Sequence, residues 1–424
     1  MTSVSQHRPT SGPRHLWVDA ARGCVVIMVV VMHVGLYHFQ PLALDAVAGN
    51  DSPALDFWIG VDSALHLLRM PALLVLSGWL ASSRIREGLG SRRTRRSIYA
   101  NAYLYLLWLA IYTGVTVLFD AGDVAQAPTP ETWWMQLWKP YTTLWFLSAL
   151  VWYTTAMSLL RRFPPPLVLV GMFLLGWVSS SLWTVDEGLW ANIPHLAIFF
   201  AMGVYARPAV ALLTRHPVRS FGIGLAGTIV FVEIVQRIGT QFLFYPVDVI
   251  AALCGVATIF AGTSLAAHWA APVVRPIAWV GRRTLPIYVT HYLVLLVLTK
   301  TDSGPLSDIP ELMISQEATR WIYPALLTAV IVGTALALKE ICDRIGLRWL
   351  FALPHLPHPS RYLLTPRQFI TQVRGLPRQP ATIPAAPVIV VAPRPDGHTP
   401  PPETDEDHAH RNWATTPSRA QPVP

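Results

Sequence analysis

Long apolar runs recur along this chain of 424 residues, separated by polar or basic stretches. A helix needs about 20 consecutive, mostly apolar residues to cross the hydrocarbon core of a bilayer. The composition agrees, because only 13% of the residues are charged and the mean hydropathy is +0.41, values that exclude a soluble chain of this length. The predicted fold class is therefore all-α, a polytopic bundle of transmembrane helices.

The apolar runs predict about ten spans, and the basic residues between them predict the orientation. Cytoplasmic loops of membrane proteins retain Lys and Arg. With both termini placed in the cytoplasm, most of the 32 Lys and Arg residues fall on the cytoplasmic side. We assign the spans to residues 24–42, 57–81, 98–119, 142–160, 167–183, 192–206, 220–237, 247–268, 284–300 and 321–338.

Three regions follow from this topology. Residues 1–15 form a polar cytoplasmic N-terminus without a cleavage site after the first apolar run. Residues 16–350 form the transmembrane domain. Residues 353–424 are rich in proline and are predicted to be a disordered cytoplasmic tail. The basic excess fits contact with anionic membrane lipids and gives no indication of nucleic acid, and the three cysteines lack the spacing of a disulfide or metal site.

One histidine, His33, lies in the middle of the first apolar run, and Arg22 precedes it by eleven residues. Eleven residues advance a helix by roughly 16 Å and about three turns, so both side chains are expected on nearly the same face. An imidazole at membrane depth is costly unless it faces a polar interior, which makes His33 a candidate functional residue. Arg22 is expected at the membrane edge and His33 near its middle.

Ionisable groups also share one face of the second span. Asp62, His66 and Arg69 are spaced by four and three residues, which stacks them along a helix. Their mutual pairing lowers the desolvation penalty, yet three such groups in one span exceed what structure alone usually requires. The second span is therefore predicted to contribute to a polar site.

Two other spans carry candidates for substrate contact. Tyr288 and His291 are three residues apart in the ninth span and are predicted to form a second wall of a cavity. The alternative is an interfacial tyrosine beside a histidine bonded to a neighbouring helix. Trp145, near the start of the fourth span, is either an aromatic-belt anchor or a platform for a sugar ring.

The loop after the second span is rich in arginine. Arg92, Arg93, Arg95 and Arg96 stand close together there. Topology explains part of this density. The functional interpretation is an electropositive cytoplasmic surface that holds an anionic cofactor through bidentate contacts to phosphate. No Walker or GxGxxG motif accompanies it, so neither ATP hydrolysis nor a Rossmann cofactor is indicated.

Four separated segments resemble the integral-membrane acyltransferase 3 family, which includes O-acetyltransferases of bacterial surface glycans and the succinyltransferase of osmoregulated periplasmic glucans. They are Trp17 to His33, His66 to Leu80, Leu144 to Leu150 and Thr284 to Tyr292. Their order and spacing match the ten-helix plan of that family. Some relatives carry an additional SGNH-type extracytoplasmic domain, which this sequence lacks.

The resemblance implies motif residues as well as a fold. In the family, an arginine and a histidine separated by ten residues mark the first helix, and Arg22 and His33 match them, with Asp19 preceding. Basic residues after the second helix are associated with the cytoplasmic side, where acyl-CoA arrives. The four arginines of the loop match those residues.

The resemblance implies an enzyme of the EC 2.3.1 type in the bacterial inner membrane. It would move an acyl group, acetyl first and succinyl second, from cytoplasmic acyl-CoA to a hydroxyl of an extracytoplasmic or lipid-linked glycan. Acyl-CoA is then a donor substrate, with acetyl-CoA expected, and no permanently bound cofactor or metal is predicted. The sequence carries no signal for the oligomeric state.

The chemistry assigns a role to each candidate. Attack of a hydroxyl on a thioester needs a base, which we expect to be His33, with a transient acyl-imidazole as the alternative. Arg69 and His66 are expected to polarise the thioester carbonyl or orient the acceptor. Asp19 is expected to orient Arg22 through an ion pair. Arg22 and the arginine-rich loop are expected to hold the CoA phosphates.

Two other function classes compete with acyl transfer. Buried His, Asp and Arg groups also build proton relays, so a proton-coupled transporter of a small solute or lipid-linked precursor is the main alternative. No inverted repeat relates the two halves of the sequence, which counts against it. A scaffold or lipid-binding assembly factor would leave the ionisable groups of the first two spans without a purpose.

Overall fold

The computed structural model describes residues 16–47, 49–182, 188–237, 241–300 and 305–354. The described part is helical throughout, with 84% of residues in helices and no strand among them. The all-α prediction is therefore confirmed. The predicted N-terminal segment 1–15 and nearly all of the predicted tail, 353–424, lie outside the described residues.

The helices are numbered in chain order. The first group comprises α1 Leu16–Val34, α2 Gln40–Val47, α3 Pro53–Glu87, α4 Arg92–Leu118, α5 Trp145–Leu160, α6 Pro165–Leu182, α7 Asn192–Tyr205 and α8 Arg207–Arg215. The second group comprises α9 Pro217–Arg237, α10 Gln241–Trp269, α11 Ala271–Gly281, α12 Thr284–Thr299, α13 Pro305–Ser315, α14 Glu317–Arg320 and α15 Tyr323–Arg344. A π-helical turn, Gly35–Phe39, joins α1 to α2.

Each of the ten predicted spans coincides with a helix, although the helices differ in length. Seven are long and apolar enough to cross a bilayer, and α7 with α8 forms an eighth that is bent by 75°. The remaining two, α5 and α12, have only 16 residues each, fewer than the roughly 20 of an ordinary span. The polytopic helical bundle predicted from the sequence is thus confirmed.

The first span begins earlier than predicted. It runs without a break from Leu16 to Val47 instead of 24–42. The additional first two turns contain Asp19 and Arg22, which helix α11 covers. Gly23 lies so close to the backbone of α11 that a Cβ there would be 2.1 Å from the carbonyl oxygen of Ile277. Polar residues therefore extend this helix, because a neighbouring helix shields them.

Two ends of the bundle are distinguished below. The proximal face contains Leu16, Glu87 and Thr284, which are ends of α1, α3 and α12. The distal face contains the opposite ends and the connection between α4 and α5. Helix α1 packs against α3, α11, α12 and α15, so it lies at the centre of the bundle. The site described next is built around its distal half.

Candidate functional site

Two histidines from different spans meet in the interior of the bundle. Nε2 of His291 lies 3.2 Å from Nδ1 of His33, and the ring centroids are 4.8 Å apart. His33 lies on α1, one residue before its end, and His291 lies in the middle of α12. His291 is fully buried, whereas His33 is partly exposed. The predicted second wall is therefore in direct contact with the first.

Carbonyl oxygens determine which ring nitrogens carry hydrogen, since a carbonyl only accepts. Nδ1 of His33 lies 2.8 Å from the oxygen of Val29, and Nδ1 of His291 lies 3.1 Å from that of Ile287. In the neutral rings each Nδ1 therefore donates, and Nε2 of His291 accepts from His33. Nε2 of His33 keeps its lone pair and has no hydrogen-bond partner among the described residues. That nitrogen is available as a base.

A tyrosine fixes the orientation of His33 from the distal side. The ring of Tyr37 stacks on His33 with centroids 5.5 Å apart and planes 16° apart. Tyr37 lies in the π-helical turn, so the wider turn places it over the histidine one turn below. Tyr292 meets Tyr37 edge-on at 5.7 Å. The imidazole is thus held between Tyr37 and His291.

Arg69 is a buried cation with unused hydrogen-bond donors. It is 8% exposed, and its Nε and Nη1 have no hydrogen-bond partner among the described residues. His33, Tyr37 and Asp62 lie within electrostatic range of its charge. A buried donor without an acceptor is destabilising by about 1–3 kcal/mol, and more when it is charged. The guanidinium is therefore placed to bind an oxygen that a ligand supplies.

Asp62 approaches the same region from α3. Its Oδ2 accepts a hydrogen bond of 2.5 Å from Nε2 of Gln40, while its Oδ1 is buried without a partner. The carboxylate packs against Gly35, where a Cβ would lie 1.9 Å from Oδ2. Only glycine allows this approach. The first residue of the π-helical turn therefore positions the carboxylate of Asp62.

A pocket of about 690 Å³ opens at the proximal face. It contains four basic side chains, Arg22, Arg282, Arg283 and Lys339, together with two aromatic rings, Trp279 and Phe351. It reaches Pro286, which precedes His291 by five residues, or about 7.5 Å along a helix. The pocket is large enough for a substantial part of a cofactor-sized ligand.

A family model described as an acyltransferase domain matches residues 15–339, well over half of the chain. The chain belongs to the acyltransferase 3 family. No curated protein and no solved structure matches it. The matched region contains both histidines, Arg69 and nearly all of the proximal pocket. As a member of this family, the chain is a membrane acyltransferase.

In this acyltransferase, Arg22 lines the proximal pocket, and Asp19 pairs with another arginine that lines it. Arg22 donates from Nη2 to Oγ1 of Thr284 at 3.0 Å, and it lines the pocket. Asp19 is 5% exposed and forms an ion pair with Arg282 at 3.6 Å. Asp19 was predicted to pair with Arg22. The described ion pair joins it to a second arginine of the same pocket.

The four arginines that were predicted to lie in a loop instead form the start of helix α4, at its proximal end and outside the lining of the pocket. All four arginines are exposed. Arg93 forms an ion pair with Glu87 at 3.3 Å, and Arg95 donates to the carbonyls of Leu89 and Gly90. Some of this charge is therefore used in local contacts.

Tyr288 and Trp145 are placed in the core. The Tyr288 hydroxyl donates to the carbonyl of Thr143 and accepts from the backbone N–H of Phe146 at 3.2 Å. Trp145 is 6% exposed and packs edge-on against Phe146. Tyr288 thus connects α12 to the start of α5, and its ring centroid lies 6.0 Å from that of His291. Both Tyr288 and Trp145 are buried.

His66 is separated from the histidine pair. Although one helical turn from Arg69 and within its electrostatic range, it is exposed on α3. Two other groups also lie within electrostatic range of His66, His195 of α7 and Asp248 of α10, which form a pair at 3.5 Å. Of the two residues that were predicted to stack on the second span, Arg69 is therefore buried and His66 is exposed.

Several residues of the site were not recognised from the sequence. In the sequence, Arg282 and Arg283 look like ordinary basic residues of a cytoplasmic loop. Lys339 looks like the first polar residue after the last span. Tyr37 stands in an apolar run, where an aromatic residue carries no functional signal. A signal did exist for the two arginines, because they directly precede the TLPIYVTHY segment that carries the family resemblance.

Proposed function

We propose that this protein transfers an acyl group, acetyl or succinyl, from acyl-CoA to a hydroxyl of an extracytoplasmic or lipid-linked glycan, with His33 as the general base. The observation that carries the proposal is the free lone pair on Nε2 of His33 within electrostatic range of Arg69, whose Nε and Nη1 have no partner among the described residues. A base and an oxyanion donor are the two groups that acyl transfer requires.

The donor substrate enters the proximal pocket, which is the cytoplasmic side under the topology predicted from the loop charges. Arg22, Arg282 and Lys339 bind the phosphates of CoA, and arginine suits this task because its planar donors match phosphate oxygens. The thioester arm then passes Pro286 towards the histidine pair. Acetyl-CoA is the donor that we expect, in a bacterial inner membrane.

The chemical step balances within the site. Nε2 of His33 removes the proton from the acceptor hydroxyl, whose oxygen attacks the thioester carbonyl carbon. The N–H groups of Arg69 stabilise the oxyanion that forms. The carbon–sulfur bond breaks, and the proton passes from His33 to the leaving thiolate. The products are the acylated acceptor and free CoA, and the histidine returns to its neutral form.

His291 supports the base without touching the reacting atoms. Its Nε2 accepts from Nδ1 of His33, which keeps the reactive Nε2 unprotonated in the resting state. When His33 becomes an imidazolium ion, the same contact stabilises the new charge. His291 is therefore a positioning residue.

The test compares two histidines of one continuous span. His33→Gln removes the base, whereas His38→Gln alters a histidine that is 5% exposed and bonded to Tyr323 at 2.8 Å, away from the pair. Each variant is expressed in cells that lack the native protein, and membrane abundance and acyl groups on envelope glycans are measured by mass spectrometry. We expect acylation to be lost in His33→Gln and retained in His38→Gln. Normal acylation by His33→Gln at normal abundance would overturn the proposal.

A further inference from the structure

Helix α8 lies between two spanning helices and turns away from their direction. Helix α7 ends at Tyr205, and α8, Arg207–Arg215, leaves it at an angle of 75°. The next spanning helix, α9, begins at Pro217. A helix at 75° to a spanning helix runs nearer to the plane of the membrane than to its normal. The acyl-transfer site uses no residue of α8.

Packing places the start of α8 at the proximal face. The backbone of α7 contacts that of α3 at Gly203, where an added Cβ would lie 2.2 Å from the carbonyl oxygen of Val75 and 2.9 Å from the nitrogen of Trp79. Trp79 in turn stacks on Trp17, in the first turn of α1, with ring centroids 5.7 Å apart. Tryptophan is enriched where a membrane meets water. Helix α8 therefore begins at the level of the membrane surface.

The side chains of α8 separate into an apolar and a polar side. At about 100° per residue, the apolar side comprises Pro208, Ala209, Val210, Leu212 and Leu213, and the polar side comprises Arg207, Ala211, Thr214 and Arg215. The protein covers only part of the apolar side, since Val210 is 4% exposed and Leu212 is 62% exposed. An amphipathic helix of this kind lies in a membrane interface, with its apolar side towards the acyl chains.

The basic residues around α8 have no acidic neighbours in the sequence. Residues 188–232 contain neither Asp nor Glu. Arg207, Arg215 and Arg219 are exposed, and none forms an ion pair or a hydrogen bond within the described part of the chain. Arg93 of α4, by contrast, is paired with Glu87 at 3.3 Å. The guanidinium groups at α8 are therefore available to phosphate oxygens, which match their planar donors.

We propose that α8 is an interfacial helix that binds anionic phospholipid at the proximal face. Leu212 and Ala209 contact the upper part of the acyl chains, while Arg207, Arg215 and Arg219 bind the headgroup phosphates. The partner is thus a lipid that carries both an acyl chain and a negative charge. This inference goes beyond the proposed acyl transfer and does not depend on it.

The first experiment measures the depth of the two sides of α8. Nitroxide labels are attached to Leu212→Cys or Ala211→Cys in full-length protein whose native cysteines are replaced by alanine, in bilayers of phosphatidylglycerol and phosphatidylcholine. We expect the Leu212 label to collide mainly with oxygen, which dissolves in the bilayer, and the Ala211 label with a water-soluble nickel chelate. Two labels that both report water would overturn the interfacial position.

The second experiment measures lipid binding in protein that keeps its cysteines. Arg207→Gln with Arg215→Gln is compared with Arg86→Gln with Arg162→Gln, a control pair of exposed arginines at the proximal ends of α3 and α5. Each purified protein in neutral detergent is titrated with phosphatidylglycerol, phosphatidylcholine or inorganic phosphate. The readout is the Tm, because a lipid that binds the folded state raises it.

We expect phosphatidylglycerol to raise the Tm of the unaltered protein more than phosphatidylcholine or inorganic phosphate does. The α8 pair should need about tenfold more phosphatidylglycerol for the same rise, since each arginine near an anionic surface contributes about fivefold in affinity. The control pair should stay within about twofold of the unaltered protein, as expected for exposed charges outside a binding surface. Equal shifts in both pairs would overturn the proposal. An effect of inorganic phosphate equal to that of phosphatidylglycerol would also overturn it, since the acyl chains would then contribute nothing.

Discussion

The proximal pocket and the interior site hold their charges in opposite ways. At the pocket, Arg282 pairs with Asp19, and Arg283 lies over the ring of Trp279 at 4.2 Å. In the interior, Arg69, Asp62 and Gln126 each keep a buried polar atom without a partner. Polar groups at the pocket that already have protein partners attract a ligand through additional electrostatic interaction. Buried polar groups that lack a protein partner instead form their missing hydrogen bonds with the ligand. Variants of the two regions should therefore differ in the size and kind of their effects.

The largest effect is expected for Arg69→Lys. Lysine keeps the charge but loses the planar Nε and Nη1 donors that have no protein partner. Loss of an oxyanion donor typically lowers kcat by about 10²–10³-fold. We expect such a fall in acetyl transfer with membrane abundance within twofold. A kcat within threefold of the unaltered protein would show that the open donors of Arg69 do not serve the reaction.

Gly35→Ala should have the next largest effect. The added Cβ would lie 1.9 Å from Oδ2 of Asp62, so the helix or the carboxylate must move. Overpacking of this kind is destabilising by about 1–3 kcal/mol. Gly60→Ala on α3 is the control, because nothing lies within 4 Å of its added Cβ. Thermal unfolding in detergent should show a lower Tm for Gly35→Ala only, and an equal Tm in both variants would contradict the close packing.

Arg22→Gln should produce a smaller change that appears in substrate binding. A charge-assisted hydrogen bond contributes about 1.5–3 kcal/mol, so we expect KM for acetyl-CoA to rise about tenfold while kcat changes little. Arg275→Gln is the control, since Arg275 is exposed on α11 and does not line the pocket. A fall in kcat with an unchanged KM would instead place Arg22 with the interior groups.

The smallest effect is expected when Arg92, Arg93, Arg95 and Arg96 are all changed to Gln. These side chains are exposed and two of them already bind Glu87 or backbone carbonyls, so salt screens most of their attraction for phosphate. We expect the affinity for acetyl-CoA to fall by less than about threefold. The measurement is calorimetry at about 0.15 M salt, the physiological ionic strength. A loss of acetyl-CoA affinity greater than that caused by Arg22→Gln would indicate that these four arginines bind the CoA phosphates.

The candidate residues that the sequence indicated are of two kinds. They either follow the 3.6-residue period of an α-helix or carry an ionisable group inside an apolar run. His33, His291 and Arg69 stand out because ionisable groups are rare in apolar runs. Family resemblance added their order along the chain. Arg22 was found in the same way, through its spacing from His33. The helical class and the ten segments followed from apolar length alone.

The residues that were missed depend on tertiary structure. Tyr37 becomes relevant only because the π-helical turn stacks its ring on His33, and no local pattern encodes that contact. Gly35 reads as an ordinary apolar residue until α3 brings Asp62 against it. His66 and Arg69 share a helical face, yet Arg69 is buried and His66 is exposed, because spacing along a helix does not determine how deeply each side chain is buried.

The π-helical turn between α1 and α2 also makes the two halves of this span separable by a single deletion. An α-helix turns by about 100° per residue, so removing one residue from Gly35–Phe39 would restore an ordinary turn and rotate α2 by about that angle. His33 would keep its contact with His291, while His38 would turn away from Tyr323. The length of this turn therefore sets the angle about the helix axis between His33 and the residues of α2, independently of which side chains those positions carry.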